Sequence, residues 1–205
     1  MLTKLPNLLT LSRIAVIPLM VAAFYLPDFY SQWLACALFT AAGVTDYLDG
    51  LFARRWKQQS EIGRFLDPIA DKLLVGAALF MLAAFARISS SAILPALVIL
   101  SREILVSGLR EYLAGLRVRV PVSRLAKWKT GIQMTSIGFL LVGNAGPAIL
   151  PVQGIGEALL WLAALLTLVT GYDYLQAGLP HMTDERPRRR LRRLRGIKQA
   201  KPDAL

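Results

Sequence analysis

Six stretches of apolar residues, each close to the length a helix needs to cross a bilayer, constrain this chain more than any other feature. A helical crossing takes about 20 residues. Apolar runs of that scale occupy residues 8–26, 33–51, 69–85, 92–112, 123–142 and 155–175. At 55% hydrophobic residues and a mean hydropathy of +0.49, one small soluble core could not bury them all. The expectation is an all-α integral membrane protein with six transmembrane helices. Turn-forming residues mark the breaks: Pro27 with Asp28, Ser89-Ser90-Ser91, Asn144-Ala145-Gly146-Pro147, and residues 151–156. The opening MLTKLPNLLTLSR lacks the short apolar core and small-residue cleavage site of a removable signal, so the first span is expected to stay. No internal repeat is evident.

The charges fit a membrane rather than a nucleic acid. The formal net charge is +11, but the basic residues gather in the links 54–64 and 110–129 and in the tail, while the alternating links hold only Arg87. By the positive-inside rule both termini are expected in the cytoplasm. Residues 184–205, with RPRRRLRRLRGIK, read as a mobile basic cytoplasmic tail drawn to anionic lipid, and residues 1–183 as one membrane domain. Cys36 is the sole cysteine, which excludes an intrachain disulfide, and His181 is the sole histidine, which excludes a Ser-His-Asp triad and a histidine zinc site. Gly154 and Gly156 follow a proline turn and do not form a dinucleotide loop.

Amid this apolar sequence stands DYLDGLFARRWKQQSEIGRFLDPIAD, residues 46–71. At 100° per helical residue, Asp46, Asp49, Gly50, Ala53 and Arg54 share one face, and Asp67 and Asp71 share another. Ionised aspartate near a membrane span is costly unless paired, hydrated or metal-bound, so such a cluster points to function. Carboxylate oxygens suit Mg²⁺-like cations, and two such ions can clamp a phosphoryl centre. Gly50, Ala53 and Gly63 carry little bulk, so a nucleotide could lie against the backbone, and Arg54 could neutralise a phosphate. The topology places all four carboxylates in a polar, metal-binding cavity open to the cytoplasmic side. Asp67 followed by Pro68 also reads as a helix N-cap with proline at the first helical position. Its spacing to three other aspartates argues for a ligand instead.

The string Asp46-x2-Asp49-Gly50-x2-Ala53-Arg54-x8-Gly63-x3-Asp67-x3-Asp71 resembles the signature of the CDP-alcohol phosphatidyltransferases, matching its eight fixed positions. LPNLLTLSR (5–13), REILVSGLR (102–110) and KWKTGIQM (127–134) are similar to segments of the bacterial phosphatidylglycerophosphate synthase branch of that family. Ala126 departs from it, standing where glycine is expected. The resemblance implies a six-helix membrane enzyme, usually a homodimer. It further implies that Asp46, Asp49, Asp67 and Asp71 bind two divalent metal ions, Mg²⁺ or Mn²⁺, that the Gly50, Ala53, Arg54 and Gly63 positions hold the CDP moiety, and that Asp71 is the general base. Ser60 stands where the family often places a nucleotide-contacting Ser or Thr.

The implied reaction joins CDP-diacylglycerol to sn-glycerol 3-phosphate in the bacterial cytoplasmic membrane, giving phosphatidylglycerophosphate and CMP on the route to anionic phospholipid. Asn7 and Thr10 lie where the pyrophosphate of CDP-diacylglycerol would sit. The acceptor carries its own phosphate, so a second cationic site is expected, and Arg102, Arg110 and Lys127 are its candidates, with Lys129 and Arg124 behind them. Each has a plainer reading: Arg54 and Arg110 as membrane-edge anchors, Ser60 as a turn or capping residue, Asn7 and Thr10 as a helix start, and Arg102 and Glu103 in helix-side ion pairing with neighbours. Two other functions stand as alternatives: the same chemistry on inositol phosphate, serine or phosphatidylglycerol, and a cation transporter. Against the transporter, the aspartates sit near one membrane face, not at the midplane.

Overall fold

The computed structural model describes residues 5–56, 61–116, 118 and 123–183; side chains at 5–9, 28, 47, 49–56, 61–65 and 180–183 lie outside that description. Among the described residues six α-helices run in order: α1 (Leu5–Ala23), α2 (Asp28–Trp56), α3 (Glu61–Ala84), α4 (Ile93–Gly115), α5 (Arg124–Val142) and α6 (Val152–Thr183). Short 3₁₀ turns at Ser90–Ala92 and Gly143–Ala145 precede α4 and follow α5, and no strand occurs among the described residues.

The helix count matches the six apolar runs, but several helices outrun them. The span expected at 69–85 belongs to a helix that begins at Glu61, and the one expected to close at Leu51 continues to Trp56. Arg, Lys, Gln and Glu are good helix formers, so a helix continues where hydropathy stops. Pro68 therefore lies inside α3 instead of opening it, and the N-cap reading of Asp67 fails. Within the described residues, Ser90–Gly115 and Val152–Leu179 are each long and apolar enough to cross a membrane, and Thr10–Ala23 is apolar but shorter.

Side-chain chemistry explains the ends. Ser123 caps α5, its hydroxyl accepting from the Ala126 amide at 3.2 Å. Ser89 caps the turn before α4 in the same way. It also meets Glu157 of α6, which accepts from its amide and its hydroxyl, each at 2.8 Å. The α3 terminus closes through Ala86, held at φ 51°, with the Arg87 amide reaching back to the Leu82 carbonyl at 2.9 Å.

Packing is closest between α5 and α6, and α1 runs against both α2 and α3. A Cβ built on Gly156 of α6 would stand 2.8 Å from the Leu140 side chain, so only glycine lets these backbones approach. Ser136 donates to the Gly156 carbonyl at 2.8 Å across that contact. Phe24, Phe39, Leu82, Ile99, Leu140 and Leu160 form the centre of the core. The distribution is inverted relative to a soluble bundle: Arg13, Lys129, Gln133 and Thr167 are buried, whereas Phe80 and Trp128 are each 71% exposed. A hydrocarbon surround accommodates that exterior. Contact of α3 with α4 and α5 is sparse, and a cavity fills the space between them.

Candidate active site

The cavity has a volume of about 510 Å³ and takes its walls from all of α1 to α5. Asp46 comes from α2, while Asp67 and Asp71 come from one face of α3, one helical turn apart. Sequence spacing alone brings Asp67 and Asp71 together; tertiary packing adds Asp46.

Arg13 of α1 organises them. Its side chain is fully buried, and Nη1 stands 2.9 Å from Oδ1 of Asp46 and 2.8 Å from Oδ1 of Asp71. One guanidinium thus bridges carboxylates from two helices, and its charge partly offsets their mutual repulsion. Thr10, one turn earlier on α1, donates to Oδ1 of Asp67 at 2.6 Å. The hydroxyl expected near a pyrophosphate therefore holds a carboxylate. Arg13 belongs neither to the aspartate signature nor to the expected acceptor cations, although a cation five residues inside an apolar run carries the same signal as the aspartates.

The expected acceptor cations go three ways. Arg110 lines the cavity. Arg102 points to α6, donating to Thr170 at 2.9 Å with its guanidinium 5.8 Å from the Tyr174 ring centre. Lys127 lines a separate cavity with Trp128 and Gly131. Lys129, a weaker candidate, is buried and pairs with Glu103, whose carboxylate also stands 3.7 Å from Arg102. Glu103 and Gln133 form the polar back wall of the aspartate cavity. Arg124 is exposed in the first turn of α5.

Ser60 and residues 184–205 lie outside the described residues, as do the side chains of Asn7, Asp49, Gly50, Ala53, Arg54 and Gly63. The backbone at those six positions belongs to α1, α2 and α3. Among the described residues no three His, Cys, Asp or Glu side chains form a ready metal cluster. Asp46, Asp67 and Asp71 do share one cavity, and their donors are all oxygen, the chemistry that hard divalent cations take.

The profile of the CDP-alcohol phosphatidyltransferase family matches residues 3–169. The chain belongs to that family. Relatives similar over most of its length carry one name, CDP-diacylglycerol--glycerol-3-phosphate 3-phosphatidyltransferase. That of Rickettsia felis is 46% identical over 85% of this chain and 94% of its own length. That of Pectobacterium atrosepticum is 45% identical over 85% and 94%, and that of Cereibacter sphaeroides 37% over 89% and 99%. As a family member with an apolar helical exterior, the chain is a membrane-associated transferase of phospholipid biosynthesis, and the aspartate cavity falls within the matched region.

Proposed function

We propose that the chain transfers the phosphatidyl group of CDP-diacylglycerol to sn-glycerol 3-phosphate and releases CMP. The observation that carries this reading is the gathering of Asp46, Asp67 and Asp71 around buried Arg13 in one cavity of about 510 Å³. The names of the relatives support the choice of acceptor.

Asp46, Asp49, Asp67 and Asp71 would hold two divalent ions, Mg²⁺ or Mn²⁺, which when bound neutralise charge on the phosphoryl oxygens. The primary hydroxyl of glycerol 3-phosphate attacks the phosphorus bearing diacylglycerol. A new P–O bond forms, the bond to CMP breaks, and CMP departs with that electron pair. Asp71 accepts the hydroxyl proton; Arg13 occupies its Oδ1 and so fixes the carboxylate while Oδ2 takes the proton. Thr10 orients Asp67 from α1. Asn7, Thr10, Asp46, Gly50, Ala53, Arg54, Ser60 and Gly63 form the CDP-diacylglycerol subsite. Arg110 is the first choice for the acceptor phosphate because it lines the cavity, with Arg102 and Lys127 as the other cations of the set.

The enzyme works as a homodimer of six-span subunits in the bacterial cytoplasmic membrane, with the cavity and both termini on the cytoplasmic side and residues 184–205 as a basic tail. The positive-inside pattern and the apolar exterior support this arrangement.

The test is CMP release by purified protein given CDP-diacylglycerol and Mg²⁺, with glycerol 3-phosphate, inositol 1-phosphate or serine supplied singly. Release requires glycerol 3-phosphate, stops on chelation, and falls about 10²–10⁴-fold in Asp71→Asn, the scale of a lost general base. Release with another acceptor alone would replace the acceptor and keep the chemistry. Undiminished release by Asp71→Asn would remove its assigned role.

A further inference from the structure

Glu103 and Gln133 share the back wall of the aspartate cavity, and they differ in how they are occupied. Glu103 is paired with Lys129 of α5. Gln133 follows Lys129 by one helical turn and lies on the same side of α5. The residue is only 3% exposed, yet its Oε1 has no hydrogen-bond partner among the described residues. A buried amide oxygen left unpaired is costly, and in a cavity wall it calls for a partner that the cavity receives. The rest of the described polar lining is charged or committed. Asp46 and Asp71 hold Arg13, and Lys72 donates to the Pro68 carbonyl at 2.8 Å. Thr130, the other neutral polar side chain on the described wall, gives its proton to the Ala126 carbonyl at 3.1 Å.

The partner's chemistry follows from what an amide offers. It carries donors and an acceptor but no charge, so it matches a hydroxyl, which both gives and accepts hydrogen bonds. A phosphate oxygen or a metal ion is better served by the charged groups of the same cavity, guanidinium for phosphate and carboxylate for metal. The acceptor in the reaction proposed above has three polar groups. Its phosphate goes to Arg110 and its primary hydroxyl gives its proton to Asp71, which leaves the secondary hydroxyl without a partner. We infer that Gln133 reads this secondary hydroxyl, Oε1 accepting a hydrogen bond from it, and so makes the site select a polyol phosphate over a simple alkanol phosphate. The inference rests on the proposed reaction and adds a residue that sets acceptor specificity. Selection of this kind is steep, because an acceptor lacking the hydroxyl leaves the buried amide unpaired.

The test compares two acceptors on the same protein: sn-glycerol 3-phosphate, and 3-hydroxypropyl phosphate, which keeps the phosphate and the primary hydroxyl and lacks only the secondary one. The parent prefers glycerol 3-phosphate by about 10–100-fold in kcat/KM, the scale of a buried hydrogen bond withheld. Gln133→Met, close in shape but without the amide, brings the two acceptors within about threefold of each other. A loss of packing alone would lower both together and leave their ratio as it was. If Gln133→Met releases CMP with neither acceptor, Gln133→Asn, which withdraws the amide by one carbon, decides, and its ratio falls by at least about threefold. A parent that uses both acceptors alike, or variants that keep the parent's ratio, would overturn the contact and give the amide to a buried water. A parent that turns over neither acceptor while releasing CMP with another alcohol would overturn the proposed acceptor, and the contact with it.

Discussion

Arg13 and Asp71, separated by 58 positions in sequence, meet at 2.8 Å in the wall of the aspartate cavity. The same Nη1 reaches Asp46 at 2.9 Å, so a single buried cation ties α1 to both α2 and α3. Removing it leaves two carboxylates facing each other without that partner. A hydrogen bond to a charged group contributes about 1.5–3 kcal/mol, and about 1.4 kcal/mol is tenfold in rate. Arg13→Ala therefore lowers CMP release by roughly 10–100-fold, and Arg13→Lys, which keeps the charge but replaces the planar guanidinium with a flexible, more strongly hydrated ammonium, recovers only part. Release within twofold of the parent in Arg13→Ala would mean that the carboxylates are organised without it.

Glu103 and Lys129 pair between α4 and α5, the lysine almost fully enclosed and the glutamate partly open to the aspartate cavity. Breaking such a pair from one side strands the other charge and costs about 3–5 kcal/mol, whereas replacing both sides is far milder. Glu103→Ala is thus expected to lower the unfolding midpoint in detergent sharply. Glu103→Leu combined with Lys129→Met should stand well above either single change, and additive losses would show that the two do not act as a pair.

Gly156 holds α5 against α6. One methyl at this position meets Cγ and Cδ2 of Leu140 at 2.9 and 2.8 Å and its backbone nitrogen at 3.2 Å. Overpacking of this kind costs about 1–3 kcal/mol, so Gly156→Ala destabilises by that order. Adding Leu140→Ala to Gly156→Ala removes the two closest atoms and should cost less than the sum of the single changes. Thermal melts of the four proteins decide it.

Ala86 adopts φ 51° at the end of α3, a conformation that costs an L-residue roughly 1–2 kcal/mol and glycine little. Ala86→Gly is expected to raise stability by about 1 kcal/mol, since glycine's greater unfolded-state freedom offsets part of the relief. An unchanged or lower melting midpoint would show that Ala86 is not strained.

What the sequence disclosed follows from the range of the signal. Asp67 and Asp71 are four apart, and their shared helix face is a local consequence of spacing. Six apolar runs likewise correspond to six helices, because hydropathy is counted along the chain. Helix ends and apolar runs differ where the two criteria part, as at Glu61 and Trp56, since backbone propensity continues into residues that a bilayer rejects. Contacts set by tertiary packing left less trace: Thr10 to Asp67 spans 57 positions, and Glu103 to Lys129 spans 26. Arg102, Arg110 and Lys127 look alike as cations at membrane edges, yet the fold sends them to α6, to the aspartate cavity and to a separate cavity.

The walls of the cavity also set a timetable for synthesis. By the end of α3 the emerging chain already carries every acidic residue of the signature, along with Thr10 and Arg13. The back wall, Glu103 and Gln133, arrives only with α4 and α5. A ribosome-bound fragment halted before α5 would hold the acidic residues yet be catalytically silent, so competence arises late in translation, when the fifth helix docks.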